Sequence, residues 1–282
     1  MLTRRQALAA LPSIALAGPG ALAGEVMEYR YRDRANTARR DAYQVALLNL
    51  ALDKTVRTDG PYRVVRLGEP VTPRRLLLEM NDGRRINVFA AAARAVHAGL
   101  AHHEQLAVPF SILDRLVGYR VLIIRRADLA RFEAIETLEQ LKRIRAGQGR
   151  DWIDSRILRH NGFRLDDTGQ LGTLLPMLAN RRFDYVPIGV VEAASVLERH
   201  PDIAAQLTVV PQLAIEYPLP MIYYVSNKHP ALAARLLRGL QAAKQDGSFD
   251  KLMRKHFGAE LKMIRHAGQR HFMIANPFLP PE

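Results

Sequence analysis

An α/β fold with mainly parallel sheets is what this sequence predicts, and three observations predict it. Short β-rich runs alternate with stretches of helical spacing throughout the chain beyond residue 23. Turn and cap residues punctuate the joins, as at Thr58-Asp59-Gly60-Pro61 and Asn81-Asp82-Gly83. A hydrophobic content of 48% is ample for a large core. Yet no segment after the first 23 residues reaches the run of about 18 uncharged apolar residues that a membrane span needs.

Taken in order, Met1 to Ala23 reads as an export signal. Arg4 and Arg5 form a positive head, no charge follows as far as Ala23, and Ala21-Leu22-Ala23 gives the small-x-small pattern of a cleavage site. Its apolar core, Ala7 to Ala17, is shorter than the roughly 20 residues of a permanent span. A buried helix is the alternative, but the stretch has no polar face. Thr3-Arg4-Arg5-Gln6-Ala7-Leu8 also resembles a twin-arginine signal. The remainder is therefore expected in the periplasm.

Val26 to Tyr31 alternates apolar and polar residues as a half-buried strand does, and Asp41 to Asp53 follows with helical spacing. Tyr62 to Leu67 is β-rich. Thr72 and Pro73 supply an N-cap and a first helical position, opening a helix to about Met80. Ile86 to Phe89 reads as a strand and Ala90 to Ala101 as a helix. Strands are expected at 105–110, 119–124, around Phe163-Arg164-Leu165, and at 183–187, 207–217 and 221–225. Helices are expected at 136–145, 152–160, 171–180, 191–199, 230–244 and 248–257. The tail from Asn276 to Pro281 reads as a proline-rich strap.

The formal charge of +13 raises the question of nucleic acid. The basic residues, however, fall in scattered pairs such as Arg39-Arg40, Arg84-Arg85 and Arg181-Arg182, without interleaved aromatics. An exported chain also meets no chromosome, so no nucleic-acid partner is expected and a solvated basic surface is favoured. The absence of cysteine excludes disulfides, catalytic thiols and thiolate metal sites.

The sharpest local feature is Ala146-Gly147-Gln148-Gly149-Arg150-Asp151-Trp152, read as a loop before a helix with Asp151 as N-cap and Asp154 completing a capping box. Gly147 and Gly149 let a backbone approach a ligand, and Gln148 and Arg150 offer donors to an anion near the helix start. A tight loop with a capped helix and an exposed arginine is the alternative for the same residues, and glycines before a helix are common. Trp152 reads as core packing or as a stacking platform, and Asp184 as an amine ligand or a turn residue. Arg94, alone among alanines, reads as solvent-facing. His102-His103 make a poor metal pair, and no HExxH, GxSxG or P-loop pattern occurs. Neither a catalytic constellation nor a cofactor motif is present, so no enzyme and no cofactor are expected.

From about Val26 to Gly258 the order of elements resembles the periplasmic solute-binding proteins of the polar amino-acid type, solute-binding family 3. Val108-Pro109-Phe110-Ser111 followed by 118–124 is similar to a crossing from a first lobe into a second. Residues 147–152, 157–163 and 177–185 resemble the second lobe of a divergent branch, and 237–253 the family's C-terminal helix pair. The resemblance implies a two-lobed type II periplasmic binding fold of Venus-flytrap form. Lobe one would comprise 24–117 and 221–282, and lobe two 118–220, with hinge crossings near Val117-Gly118 and Pro218-Leu219-Pro220. It further implies a small anionic or zwitterionic, amino-acid-like solute and a membrane permease of an ABC-type transporter as partner to a monomer.

Departures narrow what carries over. Arg94 is the nearest match to the carboxylate-holding arginine, but Ala90 to Ala93 replace neighbouring hydroxyls. Ile188 stands where the branch often has arginine before Gly189, and Glu192 matches an acidic position. The residues expected to bind are thus Arg94, Gly147, Gln148, Gly149, Arg150, Asp184 and Glu192. A sensory module signalling to a membrane receptor is the alternative on the same fold. A periplasmic dehydratase using Glu192 or Asp184 as general acid or base ranks last.

Overall fold

Two mixed sheets, each flanked by helices, take up the chain in turn. The computed structural model describes residues 26–33, 37–68, 72–93, 105–264 and 269–279. The expected export signal, Arg94, His102-His103 and most of the helix expected at 90–101 lie outside them.

The first part of the chain runs β1 (Met27–Arg32), α1 (Ala38–Asp53), α2 (Val56–Asp59), β2 (Tyr62–Leu67), α3 (Pro73–Asp82), β3 (Val88–Ala92) and β4 (Gln105–Ala107). Local chemistry sets several of these boundaries. The Thr37 hydroxyl accepts from the Arg40 amide at 3.2 Å to start α1. Thr72 caps α3 with Pro73 at its first turn, and Gly83 ends it in a left-handed conformation. α1 buries Tyr43, Leu47, Leu48, Ala51 and Leu52 as one face.

The second part runs β5 (Tyr119–Arg125), α4 (Leu129–Glu133), α5 (Leu138–Arg143), β6 (Ala146–Gly149), α6 (Ile153–His160), β7 (Leu165–Gly169), α7 (Leu174–Ala179), β8 (Tyr185–Gly189), α8 (Val190–Glu198), α9 (Pro201–Ala204) and β9 (Leu207–Glu216). The chain then returns through β10 (Met221–Ser226), α10 (Pro230–Gln245) and α11 (Ser248–Met263), and ends in β11 (Arg270–Met273).

Among the described residues the sheets order as β2-β1-β3-β10-β4 and β11-β9-β5-β8-β6-β7. The βα units pair in parallel, whereas β10 and β5, each arriving from the other sheet, pair antiparallel to their neighbours. The sheets are therefore mainly parallel, as expected, with one strand of each, β10 and β5, running against the local direction because it enters from a crossing. The crossings lie pressed together. The Tyr217 amide donates to the Gly118 carbonyl at 3.2 Å, and a Cβ on Gly118 would fall 1.9 Å from the Tyr217 oxygen. Only glycine permits that approach.

Three expectations change. Ala90 to Ala92 form a strand, not a helix, and every residue of β3 is buried. Between β1 and β10, alanine's helical preference yields to a central strand covered on both faces, where Ala90, Ala91 and Ala92 stand opposite Tyr223, Ile222 and Met221. The strand expected around Phe163 begins instead at Leu165. The tail also departs from the expected division, because β11 adds to the second sheet alongside β9. It is held there by Asn161, which donates to Ala275 O at 2.8 Å, by Asn276, which donates to Pro218 O at 2.7 Å, and by Phe278 under the Arg156 guanidinium. The chain thus passes between the two sheets a third time.

Candidate functional site: the cleft between the sheets

The carboxyl ends of parallel strands are where open α/β sheets leave room for ligands. In the second sheet, β6 and β8 run parallel, so Gly149 and Gly189 end at the same edge and α8 begins there. In the first sheet, β1 ends at Arg32 and α1 follows. The first turn of α1 reaches across: Arg40 Nη1 pairs with Glu192 Oε1, and Arg39 donates to the Val191 carbonyl at 3.4 Å. Arg39 also pairs with Glu260 of α11 and lies over the Phe257 ring. These contacts close the rim of the cleft from one sheet to the other.

Behind the rim lies a buried cluster. Arg120, 4% exposed, pairs with Asp154 at 2.5 Å and stacks over Tyr217 at 5.2 Å, while the Tyr217 hydroxyl donates to the same carboxylate. Burial opposes the charge on Arg120, but Asp154, Tyr217 and Glu192 outweigh it and hold the guanidinium more firmly protonated than in water. Burial likewise pushes the Tyr217 hydroxyl well above its ordinary range, so it remains a donor. Arg120 stands directly across the strand pair from Gly189. A Cβ on Gly189 would sit 2.6 Å from Glu192 Oε2 and 3.3 Å from Arg120 Nη1. Glu192 therefore lies near two guanidiniums, Arg40 of α1 and Arg120 of β5. Ile188 is buried, and the guanidinium beside Gly189 comes from the neighbouring strand instead.

The expected site residues are placed as follows. Gly147, Gln148 and Gly149 are not a loop but the buried strand β6. A Cβ on Gly147 would fall 2.3 Å from the Phe183 ring, and one on Gly149 2.2 Å from the Trp152 ring. These glycines thus make room for aromatic packing within the lobe. Gln148 is fully buried and donates to the Pro187 carbonyl at 2.7 Å, tying β6 to β8. Arg150 is exposed at the carboxyl end of β6, with its amide bonded to Gly169 O at 2.7 Å. The N-cap of α6 is Trp152, without a side-chain bond; Asp151 takes φ 61, and Asp154 turns inward to Arg120. A capping box there is overridden by the buried ion pair. Asp184 precedes β8 at the opposite edge and accepts from Arg131 at 3.0 Å and the Arg145 amide at 3.2 Å, which is the turn role left open above. A surface cavity of about 450 Å³ lined by Arg145, Arg164 and Asp166 also lies at that far edge, away from the cleft.

Of the expected residues, then, Arg150 and Glu192 lie just beyond the carboxyl ends of β6 and β8, while Asp184 lies at the opposite edge. Arg40, Arg120, Asp154 and Tyr217 were not singled out by the sequence. Arg40 passed for half of a surface pair. Arg120 carried a usable signal, because one charge inside the apolar run 119–124 must find a buried partner. Among the described residues no cluster of side chains suits a metal ion, and no helix is long and apolar enough to cross a membrane.

No protein-family model matches the sequence, and no curated relative matches it at the significance required. Solved structures do. A Salmonella typhimurium periplasmic binding protein of high arginine specificity aligns with TM-score 0.55 and 13% identity over 82% of this chain and 99% of that one. An ancestral arginine-binding protein aligns at 0.54 and 17% over 82% and 98%. A double mutant of the BvgS VFT2 domain of Bordetella pertussis aligns at 0.55 and 14% over 82% and 92%. At 13–17% identity these likenesses bear on the fold. The two sheets, the adjoining crossings and the rim contacts are thus those of a chain with the two-lobed type II periplasmic binding fold.

Proposed function

We propose that this chain is a periplasmic receptor for a small, charged, amino-acid-like solute held between its lobes. The observation that carries the reading is the pairing of unlike charges at the facing carboxyl edges. Arg40 and Glu192 come from different lobes, and Arg120 with Asp154 stands behind them. A zwitterion entering such a cleft meets a guanidinium for its carboxylate and a carboxylate for its ammonium, in a setting where burial strengthens both. Likeness to arginine-binding proteins supports the solute class. Arg94 and Arg150 are further candidates, and Arg150→Ala is expected to weaken an anionic solute by about 1.5–3 kcal/mol through loss of one charge-assisted bond.

Within this reading the lobes meet at Val117-Gly118 and Pro218-Leu219-Pro220, and closure is a hinge motion about those crossings. The exported monomer delivers its solute to a membrane permease of the ABC type. The test is thermal-shift and calorimetric screening against amino acids, polyamines, organic acids and phosphonates. A compound that raises Tm and binds at one site supports the reading, and a complete set of non-binders overturns it.

A second reading has its own observation. Arg40 and Arg39 tie α1 directly to Glu192 and Val191 of α8, a link between the lobes that suits a module signalling to a membrane receptor. Likeness to a histidine kinase sensor domain with similarity to periplasmic binding proteins fits the same role. Binding of a detergent-solubilised permease by the solute-loaded form alone would favour uptake over signalling.

A further inference from the structure

We infer that Arg32 is an anion-binding residue of the cleft, taking a small carboxylate or phosphate-type oxyanion; the inference rests on the solute-receptor reading and narrows its ligand class. Five arginines are buried among the described residues: Arg32, Arg40, Arg120, Arg125 and Arg235. Four of them have protein acceptors. Arg40 has Glu192, Arg120 has Asp154, Arg125 has Asp128 with two carbonyls, and Arg235 has Thr55 and the Gly60 carbonyl. Arg32 is 6% exposed, yet its Nε and Nη1 find no acceptor.

An arginine cannot escape burial by losing its proton, because its pKa lies far above any working pH. A buried guanidinium without a counter-charge is among the costliest arrangements in a protein interior. The neighbouring acid does not relieve it: Asp33 gives one carboxylate oxygen to Arg66 at 2.7 Å. Among the described residues no acceptor reaches Nε or Nη1, and the structure points to an anion from outside the chain.

Position supplies the second argument. Arg32 is the last residue of β1, level with Leu67 of β2 and Phe89 of β3. All three strands run parallel, so Arg32 stands at the carboxyl edge of the sheet. From that edge the chain passes directly into α1, whose first turn touches Val191 and Glu192 of the other lobe. Arg32 therefore stands at the edge that faces the second lobe, with its side chain on the sheet face of Phe89 and Leu67 rather than the face covered by α1, separate from the latched Arg40.

The test compares wild type with Arg32→Met and Arg32→Lys. Calorimetric Tm and titrations are recorded with sodium glutamate, sodium succinate and inorganic phosphate at constant ionic strength set by sodium chloride. One oxyanion class is expected to raise the wild-type Tm in a saturable way, glutamate and succinate marking a carboxylate site and phosphate a phosphate site. Arg32→Met should bind it at least tenfold more weakly, with Arg32→Lys intermediate. Affinity within twofold of wild type in either variant overturns the assignment, as does a wild type indifferent to all three anions. If Arg32→Met does not fold, Arg32→Lys decides alone. A cationic or neutral solute that binds wild type and variants alike sinks Arg32 but keeps the receptor reading, whereas a screen without any binder sinks the receptor reading itself.

Discussion

Cutting the tie between Arg40 and Glu192 is the most direct perturbation of the cleft. Their side chains are 6% and 18% exposed, so the pair is neither fully buried nor a surface ornament. Breaking one partner of a fully buried pair costs about 3–5 kcal/mol, and exposed pairs contribute about 0.2–1 kcal/mol. The residual exposure of Glu192 places this pair between those limits, at about 2 kcal/mol. Because the two residues sit on helices that flank different sheets, the proposed hinge has most of that energy favour its closed form. Its loss shifts the closed-to-open ratio by roughly 30-fold. A double-mutant cycle of Arg40→Met and Glu192→Gln, followed by urea unfolding, isolates the term, since Arg120 keeps Asp154 in all four proteins. Small-angle scattering on the same proteins should show a larger radius of gyration for each single variant. Additivity within about 0.5 kcal/mol, together with an unchanged radius, would refute a rim latch.

Three further outcomes follow from the same contacts. Asp154→Asn leaves the buried Arg120 short of its counter-charge and is expected to cost about 3 kcal/mol in denaturant unfolding; a loss under 1 kcal/mol would mean that Tyr217 and Glu192 suffice. Gly149→Ala drives a methyl group into the Trp152 ring and should lower stability by about 1–3 kcal/mol, with a changed tryptophan emission spectrum, whereas an unaltered spectrum would show that the ring moves aside freely. The acid limb of stability is set partly by Glu28, which Arg63 and Arg30 hold below its ordinary 4.5, and by Asp166, held below its ordinary 3.8 chiefly by Thr168 and then Arg182. Folded values below unfolded ones mean stability present above about pH 4.5 and lost as pH falls through the folded values. Tm should therefore be steady from pH 5 to 6 and fall below pH 4, less steeply in Glu28→Gln, and a Tm flat to pH 3 contradicts it.

What was legible in the chain was what local chemistry decides. Tyr62 to Leu67 and the capped start at Thr72-Pro73 emerge where expected, because propensity and turn residues act within a few positions. Ala90 to Ala92 escape such reading for the opposite reason: a central strand is specified by neighbours far away in sequence, here Tyr31 and Tyr223. The cleft suffers most from this. Asp154 looks like a capping residue until the strand pair Arg120–Gly189 sets a guanidinium beside α6 and α8. Glu192 was legible through resemblance, and its partner Arg40 was not, since nothing local tells a latched arginine from a solvated one.

That difference bears on how the fold would be used. In a simple hinged receptor the open form is favoured until a solute supplies the bonds that close it. Here Arg39, Arg40 and Glu192 supply such bonds from the chain itself, and the tail strand β11 adds a third link that any opening motion must accommodate. A solute that closes the cleft must therefore out-compete, or fit behind, a pair of its own charge type. The same pair gives a graded control: a zwitterion that displaces Glu192 from Arg40 would loosen the rim, whereas an anion seated behind it would tighten the closed form. Scattering of the solute-bound protein separates the two, because displacement of the latch expands the molecule and occupation behind it does not.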